Sequence, residues 1–197
     1  MKKEFITSIK SFLVFSILCS LFYPLFVCLT GYTFFHHEAR GSLIRNSQGT
    51  VMGSELIAQN FFSNQYFHPR PSSAGKNGYD ATASSASNLS VTSKSLIDTV
   101  ALRTNQYREL NHMSQNQSVP VDAVLGSGSG LDPHITVSNA IRQAPRVAKA
   151  RDMNIEEALN LINACIEKPF LGFMGEKRVN IMRLNALLDK NSSIIKK

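Results

Sequence analysis

The chain has 197 residues, 43% of them apolar, and a formal net charge of +7 from 21 Lys and Arg against 14 Asp and Glu. The positive charges are dispersed and no arginine-rich tract occurs, so the basic balance suits acidic partners, lipid head groups or anions and does not mark a nucleic-acid binder. Of three cysteines, Cys19 and Cys28 fall in an apolar run and only Cys165 lies beyond it, which excludes an intradomain disulfide; no C-x-x-C and no metal-ligand cluster is present.

From Ser11 to Phe35 no side chain is charged. A bilayer core needs about 20 helical residues to cross it, and a lone span must be a helix because the backbone has to bond to itself. A cleaved signal peptide would have a shorter apolar core and a small-residue cleavage site, and no A-x-A pattern follows this run. The expected organisation is a cytoplasmic tail (1–10), a transmembrane helix (11–35) that Pro24 kinks, and a soluble domain (36–197). Lys2, Lys3 and Lys10 before the span against Arg40 and Arg45 after it favour the N-terminus inside and the domain outside, periplasmic in a bacterium with an inner membrane. Cys19, Ser20, Cys28 and Gly31 offer small surfaces for packing against other membrane helices.

Beyond the span, Gly41 to Gly53 reads as a short extended pair turning at Ser47–Gly49. Ser54 is a good N-cap for a helix running to about Phe62, with Leu56, Ile57 and Phe61 on one face. Residues 63–95, rich in Ser, Asn, Gly and Ala, read as a long loop of the kind that is functional or disordered, whose rings Tyr66, Phe67 and Tyr79 argue against plain disorder. A helix over 95–110 carries Leu96, Val100, Leu102, Tyr107 and Leu110. Pro120 to Leu125 reads as a short strand or turn, and Gly126 to Gly130 as a glycine-dense loop.

The helix 137–151 has an apolar stripe of Ala140, Ile141, Ala144, Val147 and Ala148, and a basic stripe of Arg142, Arg146 and Lys149, with Pro145 set to bend or divide it. Asn154 caps the next helix, Glu157 stands at the capping-box position, and Ile155, Leu159, Ile162 and Ile166 supply its buried side as far as Pro169. Cys165 reads as a small buried side chain. Gly172 and Gly175 mark a turn, Val179, Ile181 and Met182 a strand, and Leu184 to Leu188 a short final helix. The fold class is mixed α/β: one N-terminal transmembrane helix plus one mixed α/β extracytoplasmic domain.

The glycine loop has no lysine after it for a phosphate-binding loop, and Gly128 stands where a hydrolase elbow needs its serine. Ser127 or Ser129 with Asp132 and His134 offers the residue types of a hydrolytic triad, while Asp132 before Pro133 also suits a capped turn. The basic stripe is either solvated helix surface or a contact for an acidic partner or nucleotide phosphate. The segment Tyr66-Phe-His-Pro-Arg-Pro71 is either a folded clasp or a partner-binding surface.

Taken in order, six blocks resemble the C subunit of the bacterial Kdp potassium-transporting ATPase. They are Gly53-Ser-Glu-Leu-Ile-Ala-Gln-Asn-Phe61, Tyr66-Phe-His-Pro-Arg-Pro-Ser72, Ser87-Asn-Leu89, Ser127-Gly-Ser-Gly-Leu-Asp-Pro-His-Ile-Thr136, Gln143-Ala-Pro-Arg-Val-Ala-Lys-Ala-Arg151, and Gly172-Phe-Met-Gly-Glu176 with Val179-Asn180 and Leu184-Asn185. Family members often carry paired glycines before the Ser-Asn-Leu block; Ser85 and Ala86 stand there, which argues against a very close backbone approach at that point. The resemblance implies an accessory, non-motor subunit of an ATP-driven potassium importer. Its partners would be a potassium-binding channel-like subunit, a P-type ATPase subunit and a small membrane peptide, with the lipid bilayer around the span.

The resemblance also implies a role in assembly and as a catalytic chaperone that raises the ATPase subunit's affinity for ATP. It places a nucleotide contact at Gln143, with Arg142, Arg146 and Lys149 nearby. Against this, the expected topology puts Gln143 outside while ATP is cytoplasmic, so a periplasmic cap or filter at the potassium entrance is the alternative. The chain has no Asp-Lys-Thr-Gly phosphorylation motif, Asp189-Lys190 continuing to Asn191, and one span cannot form an ion pathway alone.

Overall fold

The computed structural model describes residues 1–46 and 48–195, with side chains as far as Asn191. The chain divides into two units, Met1–Ser42 and Leu43–Lys197.

The first unit is helical. Helix α1 (Lys2–Ile17) runs through a π turn (Leu18–Phe22) into α2 (Tyr23–Phe34), followed by a single turn, α3 (His36–Ala39). The widened turn lies just before Pro24, whose missing N–H and ring demand room in the preceding backbone; this is the local answer to the proline kink expected there. The helix from Lys2 to Phe34 is 33 residues long and apolar enough to cross a membrane. It starts nine residues ahead of the uncharged run, so residues 2–10 are helical too. None of the residues of α1 or α2 is buried by the protein itself.

The second unit is mixed α/β. Strands β1 (Leu43–Arg45) and β2 (Val51–Ser54) form an antiparallel hairpin; its expected Ser47–Gly49 turn includes a residue outside those described. After 55–93, where no helix or strand occurs among the described residues, come α4 (Lys94–Leu110) and one helical turn, α5 (Val121–Val124). Strand β3 (His134–Thr136), α6 (Val137–Arg151), α7 (Ile155–Ala164), β4 (Ile166–Glu167), β5 (Arg178–Asn180) and α8 (Ile181–Ile195) complete it. The three-stranded sheet has the order β3-β5-β4, with β5 antiparallel to both neighbours and Ile135 opposite Val179.

Sequence chemistry explains the best-defined helices. Thr136 caps α6 by accepting the Asn139 N–H, and Asp152 ends it in the left-handed conformation at φ 54°. Asn154 caps α7 by accepting the Glu156 N–H. The amphipathic faces of α6 and α7 meet across this short connection. Ala140, Ala144, Val147, Ala158, Ile162, Val179, Ile181, Leu184 and Leu188 form the core, and Phe67 is driven into it from the long loop. Each large aliphatic side chain so buried contributes about 2 kcal/mol.

Several expectations are corrected. No helix follows Ser54: its hydroxyl does accept the Leu56 N–H at 3.1 Å, but residues 55–57 make only a turn, after which the Ala58 N–H donates to the Leu131 carbonyl. Residues 121–124 are helical rather than strand or simple turn. Pro145 lies inside a continuous α6 and does not divide it. Ile141 and Leu102 are exposed, as is Ile155 on α7, so they do not belong to the buried faces. Helix α7 stops at Ala164, ahead of Pro169, and Ile166 belongs to β4. Ile181 and Met182 open α8, which is longer than the Leu184–Leu188 segment expected.

Candidate functional site

The site is built around the segment Tyr66–Pro71, which is held by side chains from α6 and α8. Two side-chain amides hold its backbone. Asn185 on α8 accepts the Phe67 N–H at 2.9 Å and donates to the Phe67 carbonyl at 3.0 Å. Gln143 on α6 accepts the His68 N–H at 2.7 Å and donates to the His68 carbonyl at 3.1 Å. Each amide thus mimics a strand partner. The segment is a folded clasp, fixed by elements far away in sequence.

Behind Gln143 lies a buried polar network. Its Nε2 also donates to Asn139 Oδ1 at 2.9 Å, and its Oε1 accepts from Arg146 Nη2 at 2.9 Å. Both donors and both lone pairs of the amide are therefore in use. Arg146, only 4% exposed, donates further to Asn111 Oδ1 and to the carbonyls of Asn64 and Tyr66. Burial pulls its guanidinium down to about 10. Asp122 on α5 accepts from the Thr136 N–H at 2.7 Å, from the Thr136 hydroxyl and from Asn139 Nδ2, tying α5 to the start of α6. Tyr107 of α4 donates to Asn139 Oδ1 at 2.8 Å. Burial, then the Asp122 charge, raises this phenol's pKa.

The expected basic stripe is accordingly split. Arg142 and Lys149 are exposed, whereas Arg146 and Gln143 are buried. The four residues do not share one surface. Gln143 does line an open cleft of about 260 Å³, between α4 and the clasp, with Arg103, Tyr107, Asn111, His68 and Tyr79 around it. The Tyr79 hydroxyl donates to the Arg70 carbonyl at 2.7 Å, and burial pushes its pKa up to about 12. Burial, then the Arg146 charge, lowers the His68 pKa. The cleft is lined by a mixture of apolar residues, among them Phe61, Pro69, Pro71 and Leu110, and hydrogen-bonding groups, with Arg103 among them.

A second polar cluster edges the sheet. His134 on β3 stands between two carboxylates, its Nδ1 3.1 Å from Asp132 Oδ1 and its Nε2 3.3 Å from Glu167 Oε2. Arg70 reaches Asp132 at 3.2 Å, and Arg178 reaches Glu167 at 2.9 Å. Neither ring nitrogen of His134 faces Ser127 or Ser129. Ser129 instead accepts the Leu131 N–H, so the residues of the imagined triad are not brought into one. Among the described residues no group of three or more His, Cys, Asp or Glu forms a metal site.

The glycine loop serves packing. A Cβ on Gly130, at φ 68°, would lie 2.5 Å from the Ser85 carbonyl oxygen, and one on Gly126 would lie 2.9 Å from that of Pro71. The backbone approach that Ser85 and Ala86 argued against therefore exists, with Gly130 on the other side making the room. Sequence reasoning overlooked Asn185, Asn139 and Asp122 as organising residues. Their one visible signal was polarity at positions that helical spacing places among apolar ones.

Comparison with known proteins gives one consistent answer. The family model described as K+-transporting ATPase, c chain, matches residues 5–190. A potassium-transporting ATPase KdpC subunit of Mycobacterium bovis (strain BCG / Pasteur 1173P2) is 47% identical over 190 residues, covering 96% of this chain and all of that protein. The protein of the same name from Mycobacterium tuberculosis (strain ATCC 25177 / H37Ra) is also 47% identical over 190 residues. The one from Caulobacter vibrioides (strain NA1000 / CB15N) is 45% identical over 181 residues, covering 89% of this chain and 87% of that protein. With its six sequence blocks built into one clasped domain behind an apolar helix, the chain belongs to the KdpC family, the c chains of the K+-transporting ATPase.

Proposed function

We propose that the chain is a non-motor subunit of a high-affinity ATP-driven potassium importer, anchored in the bacterial inner membrane by Lys2–Phe34 with its N-terminus in the cytoplasm. Its folded unit, outside the membrane, stabilises the assembled complex. The observation that carries this reading is where the polar residues of the shared blocks act: Gln143, Arg146, Asn180 and Asn185 bind the chain's own backbone and side chains. Such residues make a rigid docking body. The partners are a potassium-binding channel-like subunit, the P-type ATPase subunit and a small membrane peptide.

Any effect of the chain on ATP affinity is indirect. A nucleotide fits poorly at Gln143, whose amide has no free donor or acceptor, and Arg142 and Lys149 do not join it on one surface. The domain acts on the ATPase subunit through the assembly. Deleting the gene and measuring potassium uptake at limiting potassium tests the proposal. Loss of high-affinity uptake, restored by the full chain, is the expected result; unchanged uptake would refute it.

A further inference from the structure

The long segment between β2 and α4 is not held evenly. The Ser72 hydroxyl accepts the Ala74 N–H at 3.1 Å and the Tyr79 N–H at 2.8 Å. The Gly75 N–H donates to the Ala83 carbonyl at 3.0 Å, and the Asp80 N–H to the Ala74 carbonyl at 3.2 Å. These bonds close the neck of a small loop. Its tip, Lys76, Asn77 and Gly78, makes no hydrogen bond with any of the described residues. Asn77 is exposed. Gly78 follows it at φ 77°, where an added Cβ would lie 3.3 Å from the Ser72 carbonyl oxygen, so the loop itself calls for glycine there. Asn77-Gly78 is the one Asn-Gly pair in the sequence.

That pair has a chemistry of its own. The carbon of an asparagine carboxamide can close a five-membered ring with the backbone nitrogen of the next residue. A side chain on that residue shields the nitrogen, and hydrogen bonds to either group hold the two apart. Gly78 has no side chain, and neither group is held. Loop tips with few contacts also move most easily into new geometries. Other asparagines fail one of these conditions. Asn139, Asn180 and Asn185 are buried and bonded. Asn46 accepts the Gln48 and Thr50 N–H groups. Asn116 is exposed but precedes Gln117.

We propose that Asn77 is a site of spontaneous deamidation. The Gly78 backbone nitrogen gives its proton to water or hydroxide and attacks Asn77 Cγ. The new N–Cγ bond closes a succinimide, the Cγ–Nδ2 bond breaks, and the amide nitrogen leaves as ammonia with a proton from solvent. Water then opens the ring. Opening at Cγ gives aspartate; opening at the backbone carbonyl carbon gives isoaspartate, whose chain runs through the former side chain and is one atom longer. Both products put a carboxylate at the loop tip. Isoaspartate also lengthens the loop just before Tyr79, whose hydroxyl donates to the Arg70 carbonyl at 2.7 Å, so the modified loop loosens its hold on the clasp.

The test ages the full chain, folded in detergent micelles, for days at mildly alkaline pH. Chymotryptic peptides are followed by mass spectrometry, and isoaspartate by enzymatic methylation of its carboxyl group. The amide-to-acid mass gain is expected at Asn77 many-fold faster than at Asn116, with methylation at the same position. Asn77→Gln, which would have to close a six-membered ring, is expected to lose nearly all of that gain. The aged wild type is expected to melt at a lower temperature than Asn77→Gln aged alongside it. No gain at Asn77, or one no faster than at Asn116, would overturn the proposal. A gain at Asn77 with unchanged melting would uphold the site and overturn its effect on the clasp.

Discussion

Asn185 and Phe67 lie 118 residues apart, and the side-chain amide of one pairs with both backbone groups of the other, at 2.9 and 3.0 Å. The pairing solves a specific problem. Phe67 belongs to a loop without strand partners, yet its ring is fully buried in the core, so its backbone polar groups need partners away from water. An asparagine, with one acceptor and two donors in a plane, meets both needs at once.

Asn185→Ala should therefore destabilise the folded domain by about 3 kcal/mol, because it strands a buried N–H and a buried carbonyl. Lys149→Ala, at an exposed position, should change stability by less than about 0.5 kcal/mol. Urea unfolding of the full chain in detergent micelles, followed by circular dichroism, measures both.

Gln143 separates a structural role from a nucleotide-binding one. Gln143→Ala removes four hydrogen bonds and leaves Arg146 with one partner fewer, so it should lower stability by about 2–4 kcal/mol. Titration of the isolated chain with ATP should give the same response for wild type and variant. A nucleotide contact at Gln143 would instead appear as ATP binding that the variant loses.

The helices α4, α6 and α7 were legible because their signals are local: apolar spacing along one face and, for α7, the cap at Asn154. The split of the basic stripe was not. Arg142, Arg146 and Lys149 are equally spaced cations in sequence, but Arg146 alone meets the carbonyls of Asn64 and Tyr66, which arrive from about 80 residues away. No local pattern encodes that meeting. Ser54 shows the converse: the local capping bond forms, and tertiary bonds from Ala58 and Glu55 then draw the chain out of any helix. The clasp itself was visible as one of two options for Tyr66–Pro71, while the amides that make it were not.

Gly130 should resist substitution. Gly130→Ala meets the Ser85 carbonyl and the Ala74 backbone at under 3.0 Å in a left-handed conformation. Both the clash and the backbone conformation oppose the methyl group, so a loss of about 2–4 kcal/mol is expected. Gly128→Ala, with nothing near its added carbon, should be nearly neutral. Thermal melts of the two variants check the contrast.

Acid should weaken the sheet edge. Burial tends to raise the Asp132 pKa, but the His134 side-chain and backbone bonds and then the Arg70 charge outweigh it, leaving the carboxyl below its ordinary value. Glu167 behaves alike: burial raises it, and Arg178, His134 and Arg183 together bring it down. Groups whose folded pKa is depressed add stability that is present above their unfolded values near about 4 and is lost as pH falls through the folded ones. Unfolding free energy should thus fall from about pH 5 downward, and Asp132→Asn should make that fall shallower. Urea titrations at a series of pH values read the slope.

A subunit of a potassium-transporting ATPase must remain bound to the other subunits when the chain is isolated gently. Affinity purification of the tagged full chain from detergent extracts of potassium-starved cells, with the co-purifying proteins quantified, tests it most directly. The expected result is a stable complex containing a P-type ATPase subunit and a channel-like potassium-binding subunit in fixed ratio to the chain. Recovery of the chain alone, folded and without those subunits, would contradict it.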